Sequence, residues 1–360
     1  MKILIACAYT PHRKGWSSEE SLIQGFRDLG HEVITTGPVI GNLDGNITNE
    51  KRDIEVQDKA IHPETYTYKE ILDRIEVKPD LILQIDPHFY FIGDKPNIPC
   101  AIYIVDAHRG ANVFRDMAIA GKFDYVFVAH KYFIPHFERK NLKCTWLPRA
   151  YDDNYIKEYP EIDVQCDITF CGETGLHPDI EKFNCFDSEI NLKYHDGPYP
   201  NVNPCGRYRS WGNHTMEYSE RAEILIRLSR DFNLRVYEKA FGPQYPKTIC
   251  RGNMVVNHSL WKDSALRNFE VMACRRNLIT DYVPFQEELL HNYCESYNQY
   301  FLPFLSNFDL EYEEIKLKVE NILNNESIRN YQRSIAYDYV STFHTFKNRA
   351  QTIIDTVAIK

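Results

Sequence analysis
Arg267 and Glu270 stand three residues apart in the stretch 264–282, SALRNFEVMACRRNLITDY. Leu266, Phe269 and Ala273 recur there at helical spacing, which predicts a short helix with one buried face and a strand over 278–280. An arginine and a glutamate one turn apart beside that face suit two chemistries. One is a helix-surface ion pair worth about 0.2–0.5 kcal/mol. The other is a nucleotide site. A helix start near Ser264 offers unsatisfied backbone N–H groups and a positive dipole end to a diphosphate. Arg267 adds a fork of donors for phosphate oxygens, and Glu270 accepts the hydroxyl hydrogens of a ribose.

A second set of chemical groups sits at strand ends. The apolar runs DLILQID, CAIYIVDAH and DYVFVAH close on Asp86, Asp106 and His130. In open α/β sheets, ligands bind beyond the carboxyl ends of the strands. The chain also reads CDITFCGETG, a strand leading to a glycine loop at Gly172 and Glu173, and MVVNHS, a strand ending at Asn257 and His258.

These groups need strands and helices in alternation to position them, and the chain supplies that alternation. KILIACAY reads as a buried parallel strand, followed by a helix over 18–29 and a second strand, GHEVITTG. No G-x-G-x-x-G follows the first strand, so the dinucleotide fingerprint is absent there. Residues 41–64 read as a polar loop. YKEILDRIE predicts the next helix, and WLPRAYDDNYIKEYPEID a linker. SERAEILIRLSRDF predicts a helix capped by Ser219, QYFLPF a short strand, and the tail from 310 a helical segment. The stretch 176–218 has little periodicity and many Tyr, Pro, Gly and Asn, which marks an insert beside the second sheet, a lid or acceptor platform. The fold class is therefore α/β with two Rossmann-like domains. The predicted boundaries are 1–155, 156–335 with the insert 176–218, and a C-terminal helix 336–360 packing back on the N-terminal domain.

At 360 residues the chain fits two domains, and 43% hydrophobic with 26% charged residues is a globular composition. A net charge of −9 gives no support to a general nucleic-acid footprint. The 24 Tyr and 20 Phe suit core packing and sugar or base platforms alike. Ten cysteines are scattered with no C-x-x-C pair, which predicts reduced thiols in a cytoplasmic protein and no zinc site. No secretory leader is read at the N-terminus, and no apolar run approaches the roughly 20 residues of a membrane span.

LRNFEVMACRRNLITDY resembles the R-x-FE-x-x-A-C-G-x-x-L-L-T signature of the CgeB-like, spore-maturation-type glycosyltransferases of the GT-B superfamily. KPDLILQID, IPCAIYIVDAH and FDYVFVAHKYFIPHFERKNLKCTWLPRAYD resemble that family's N-terminal domain, CDITFCGE the start of its C-terminal domain, and FHTFKNRAQTII its terminal helix. The resemblance covers most of the chain outside 41–64 and 176–218. It implies two Rossmann-like domains facing across a cleft. It implies a metal-independent transferase that moves a sugar from a nucleotide-sugar donor, a UDP-sugar, to a hydroxyl acceptor, with the donor as co-substrate and no other cofactor. The donor set it implies is Gly172, Glu173, Asn257, His258, Arg267, Asn268 and Glu270.

Acceptor activation calls for a base, and Asp106 is the first candidate, with His108 in the same loop and Asp86 and His12 behind it. The acceptor is a glycan, a protein, a small molecule or a hydroxymethylpyrimidine in DNA, as in phage enzymes of this fold. The chain departs from the pattern at Lys262, where family-4 enzymes carry a second Glu, and at Arg275, where a Gly is usual. The first departure leaves inverting and retaining outcomes open. The second leaves Arg275 and Arg276 as further phosphate contacts. Two other classes remain on the sequence: a non-catalytic nucleotide-sugar binder or assembly protein, and a nucleotide-sugar isomerase.

Overall fold
The computed structural model describes residues 1–7, 17–37, 54–55, 64–76, 78–86, 89–107, 111–172, 215–237, 240, 242–259, 266–281 and 308–358. They form two compact units, Met1–Asp152 with Thr345–Lys360, and Asp153–His344. The divisions fall at 152/153 and 344/345, against 155/156 and 335/336 read from the sequence.

The first unit holds β1 (Lys2–Ala6), α1 (Ser18–Asp28), β2 (Glu32–Gly37), β3 (Ile54–Glu55), β4 (Glu64–Thr67), α2 (Tyr68–Leu72), β5 (Leu81–Ile85), β6 (Phe89–Ile92), β7 (Cys100–Ile104), α3 (Ala111–Ala120), β8 (Tyr125–Val128), α4 (Ile134–Glu138) and β9 (Cys144–Trp146). Seven of the described strands pair in parallel in the order β3-β2-β1-β5-β7-β8-β9. β5 and β7 are buried along their whole length, which is why they read as apolar runs, that of β5 broken only at Gln84. The register Ile85↔Tyr103 brings the carboxyl ends of β5 and β7 level, so Asp86 and Asp106 emerge at one edge. β3 and the parallel pair β4–β6 were not read from the sequence; β3 has two residues, too few to show a period.

The second unit holds β10 (Cys166–Cys171), α5 (Thr215–Asp231), β11 (Leu234–Tyr237), α6 (Gln244–Cys250), β12 (Gly252–Asn257), α7 (Leu266–Ala273), β13 (Asn277–Thr280), α8 (Phe308–Asn324) and α9 (Glu326–Phe343). Its described strands pair in parallel in the order β11-β10-β12-β13. α5 begins at Thr215, so Ser219 lies inside it rather than capping it, and Thr215–Tyr218 are helix rather than insert. The rest of the insert, and QYFLPF, lie outside the described residues. The tail is helical, as the sequence reads, in three helices, and the C-terminal helix expected over 336–360 begins at Phe346. Asn325 caps α9 by accepting from the Ile328 N–H, and His344 is its C-cap.

The last helix, α10 (Phe346–Ala358), belongs to the first unit and lies against α1. Gly25 makes that approach possible: a Cβ there would stand 2.7 Å from the Phe346 carbonyl oxygen. Arg349 of α10 donates from Nε to Pro148 O at 2.6 Å and from Nη2 to Arg149 O at 2.9 Å. Among the described residues no helix is long and apolar enough to cross a membrane.

Gly25→Ala gains up to about 1 kcal/mol of helix propensity but forces backbone apart. The expected net result is a loss of about 1–3 kcal/mol, read as a lower denaturant midpoint. An unchanged or raised midpoint would show that α1 and α10 do not touch at Gly25.

Candidate active site
The sequence raised two readings for Arg267 and Glu270, and the structure shows what joins them. Both reach the phenol of Tyr245 on α6. Tyr245 donates to Glu270 Oε2 at 2.6 Å, and Arg267 Nε donates to the Tyr245 oxygen at 3.4 Å. Glu270 is 4% exposed. Burial, then the adjacent Glu270 carboxylate, push the Tyr245 phenol well above its usual range, so it stays a donor. Nothing in the spacing of FGPQYPKTIC pointed to Tyr245, because its role depends on a contact 25 residues away.

Arg267 is framed on its other sides. Its Nη1 donates to Asn257 Oδ1 at 3.1 Å, and Asn257 Nδ2 donates to Asn268 Oδ1 at 2.7 Å, so the end of β12 is tied to the first turn of α7. Asn268 Nδ2 is buried with no hydrogen-bond partner among the described residues. The guanidinium lies 5.4 Å from the centre of the Phe170 ring, and that of Arg221, from α5, lies 5.5 Å from the same ring. Gly172 follows at the end of β10 with φ +140, and a Cβ there would meet Arg267 Nη2 at 2.7 Å. The backbone conformation calls for glycine, and a side chain there would also displace the guanidinium.

The segment leaving β12 is clasped from two sides. Arg221 Nη2 donates to His258 O at 2.5 Å. The fully buried Asp281, just past β13, accepts the Ser259 N–H at 2.8 Å and the Ser259 hydroxyl. Sequence reading missed Arg221 and Asp281. The structure thus brings Gly172, Asn257, His258, Arg267, Asn268 and Glu270 together at the carboxyl edge of the second sheet. Glu173, Lys262 and the helix start at Ser264 lie outside the described residues.

Arg275 and Arg276 serve the scaffold, and the sequence expectation of a phosphate contact there gives way to this. α7 ends in a Schellman motif: Arg275 N–H bonds Met272 O at 3.0 Å, and Arg276 N–H bonds Val271 O at 3.1 Å. Arg275 occupies the left-handed position at φ +52, where glycine is usual. Its guanidinium sits 3.9 Å from the Tyr337 ring centre and 3.5 Å from Glu158. Arg276 is buried and donates to Cys250 O at 3.1 Å.

In the first unit, Asp86 turns the chain at φ +32 and accepts the Val105 N–H at 2.8 Å, which joins the ends of β5 and β7. Asp106 is ion-paired with Arg149. Burial, then the neighbouring Asp106 and Glu19 carboxylates, push Asp86 up to about 8, against the opposing pull of the Val105 N–H and Arg149. His130 is buried beside Phe133. His108 and His12 lie outside the described residues. Among the described residues, no three His, Cys, Asp or Glu side chains are grouped as metal ligands would be.

A carboxyl raised from 3.8 to about 8 binds more protons folded than unfolded between those values, so it makes stability fall as pH rises through that window. The thermal midpoint of the wild type should drop more steeply between about pH 5 and about pH 8 than that of Asp86→Asn. Parallel curves would mean that Asp86 is ionised in the fold.

Known proteins of similar sequence or fold bear on this geometry. The family model described as "Glycosyl transferase-like" matches residues 199–355. No curated protein matches significantly. Among solved structures, an alpha-glucosyltransferase in complex with UDP and a 13-mer DNA containing an HMU base superposes with a TM-score of 0.59 at 11% identity, covering 99% of both chains. Sucrose-phosphate synthase from Thermosynechococcus elongatus gives 0.57 at 10% identity, covering 99% of this chain and 98% of the other. A glycosyltransferase from Rickettsia africae gives 0.55 at 12%, with coverage of 99% and 98%. The chain has the GT-B glycosyltransferase fold along its whole length, and residues 199–355 match the glycosyl transferase-like family.

Proposed function
We propose that this protein is a CgeB-like glycosyltransferase that moves a sugar from a UDP-sugar to an acceptor hydroxyl without a bound metal. The observation that carries the reading is the Arg267–Tyr245–Glu270 cluster at the carboxyl edge of the second sheet. Arg267, seated beside Gly172 and at the first turn of α7, suits the two phosphates of the donor. Its charge and the helix dipole neutralise the leaving diphosphate, a task that a metal performs in other transferases. Glu270, held by Tyr245, keeps acceptor capacity for ribose hydroxyls, and the amide of Asn268 offers a donor beside it. In the first unit, Asp106 is the base for the acceptor hydroxyl: its ion pair with Arg149 favours the carboxylate form. Asp86 holds its proton at neutral pH and is the weaker candidate.

The UDP-sugar assignment draws on neighbours of the same fold that carry UDP, or UDP-2-fluoro glucose in the trehalose-6-phosphate structure from E. coli. A second reading of the acceptor, a hydroxymethylated DNA base, is favoured by the likeness to the alpha-glucosyltransferase in complex with HMU-containing DNA. The chain's net charge of −9 weighs toward a small or glycan acceptor.

Calorimetric titration with UDP, UDP-glucose and uridine tests the donor site. Glu270→Ala should weaken UDP binding by roughly 1–3 kcal/mol, and Arg267→Ala should cost more for UDP than for uridine. Unchanged UDP affinity in both folded variants would remove the donor site from α7. Tight UDP-glucose binding with neither hydrolysis nor transfer would make the protein a binder rather than an enzyme.

A further inference from the structure
Arg149 lies in the stretch WLPRAYD, which reads as a linker, yet its side chain reaches a carboxylate of the first unit and its backbone is held by the last helix. The guanidinium pairs with Asp106 and reaches the Val105 carbonyl at 3.5 Å. The Arg149 carbonyl and that of Pro148 are in turn gripped by Arg349 of α10, at 2.9 Å and 2.6 Å. Tyr151, two residues on, bridges Thr345 at the start of the same helix. An arm that would otherwise be a loose connection is held at its backbone by the last helix of the chain.

We propose that Arg149 is a positioning residue for the proton transfer assigned to Asp106, holding that carboxylate ionised and aimed, with α10 setting where the guanidinium stands. The proposal rests on the glycosyltransferase reading above. In the step it serves, the acceptor hydroxyl gives its proton to Asp106 while its oxygen bonds to the anomeric carbon of the sugar. The bond from that carbon to the diphosphate oxygen breaks, and the electron pair leaves with the diphosphate. Asp106 afterwards returns the proton to solvent. The need for a positioning cation follows from the company that Asp106 keeps. Its acidic neighbour is Asp86, just past β5; Glu19 of α1 bears on Asp86, and Arg349 bears with Arg149 on Tyr103 of β7. The phenol of Tyr103, on β7, is buried with no hydrogen-bond partner among the described residues and lies within the field of all four charged groups Arg149, Arg349, Asp86 and Asp106. Two carboxylates this close do not both ionise readily, and which one keeps the proton is decided by the groups around them. The guanidinium pairs with Asp106 and the Val105 N–H serves Asp86, so the pair is asymmetric: Asp106 takes the ionised role.

The test uses the full chain with UDP-glucose, and three variants: Arg149→Met, Arg149→Lys and Arg349→Lys. Infrared difference titration reads the carboxyl protons directly, with Asp86→Asn and Asp106→Asn assigning the bands. The Asp106 band should ionise at least about one pH unit higher in Arg149→Met than in the wild type, and near the wild-type position in Arg149→Lys. The acid limb of UDP-glucose hydrolysis should move up in Arg149→Met by the same amount as that band, so that the rate falls about tenfold below the wild type on the limb and recovers to within about threefold at pH 9, because the ionised fraction of a carboxyl falls about tenfold for each pH step below its midpoint. Arg349→Lys, which loosens the arm without touching Asp106, should move the acid limb in the same direction by a smaller amount and provides the reading if Arg149→Met does not fold. An Asp106 band that stays in place, or a loss of rate equal at every pH, overturns the proposal and leaves Arg149 as scaffold. Failure of the wild type to bind or hydrolyse any nucleotide sugar overturns the glycosyltransferase reading instead, and the infrared titration distinguishes the two.

Discussion
A helix of eight residues buried nearly all round has to answer for every polar atom it carries, and α7 is such a helix. From Asn268 to Ala273 each of its side chains is buried. Water cannot satisfy Asn268 or Glu270 there, and an unpaired amide or carboxylate in that position would cost several kcal/mol. The bond from Asn257 satisfies the Asn268 oxygen and that from Tyr245 the Glu270 carboxylate, while Asn268 Nδ2 stays without a partner among the described residues. The two bonds also dictate the geometry of the cluster, because they tie β12 and α6 to α7 and leave Arg267 framed between them. On the opposite face, Phe269 stacks on His344 at 4.7 Å, so the helix is held from both sides. Donors and acceptors fixed in this way are preorganised, and a ligand meeting them need not reorganise them.

The first unit resolves a different conflict. Parallel strands of similar length deliver their terminal side chains to one edge, and two of those side chains are aspartates. Their mutual repulsion, deepened by burial, cannot be relieved by water alone. The structure relieves it by treating the two carboxyls differently: a backbone N–H for Asp86, a guanidinium for Asp106. A pair of like groups with unlike partners is how one fold separates acid from base.

Chain connectivity adds a constraint to both. The first unit is left at Asp152 and re-entered at Thr345, and the two crossing points are bridged at Tyr151 and Thr345. Arg349 and the close approach at Gly25 are contributed or met by the last helix. The first unit is therefore complete only when the C-terminal residues have been made, whatever the order in which its strands pair. Stability of the Arg149 arm is a property of the whole chain rather than of the N-terminal segment.

Much of this was legible before any coordinates. Strands buried on both faces, such as β1, β5 and β7, are apolar at nearly every position, so KILIA, LILQI and CAIYI announce themselves. Their ends are marked by the first charged residues, which is how Asp86 and Asp106 were found. The period of Leu266, Phe269 and Ala273 likewise marked α7. The sequence could not show β3, whose two residues are too few for a period. Nor could it explain an arginine at position 275, where local rules expect glycine, because the cost of that left-handed residue is offset by Tyr337 and Glu158 far along the chain. Tyr245, Arg221, Asp281 and Arg149 were equally out of its reach. Periodicity and propensity are carried by neighbours within about one turn or one pleat. The partners of these four residues lie 22 to 43 positions away, and only the packing of the sheets brings them within reach.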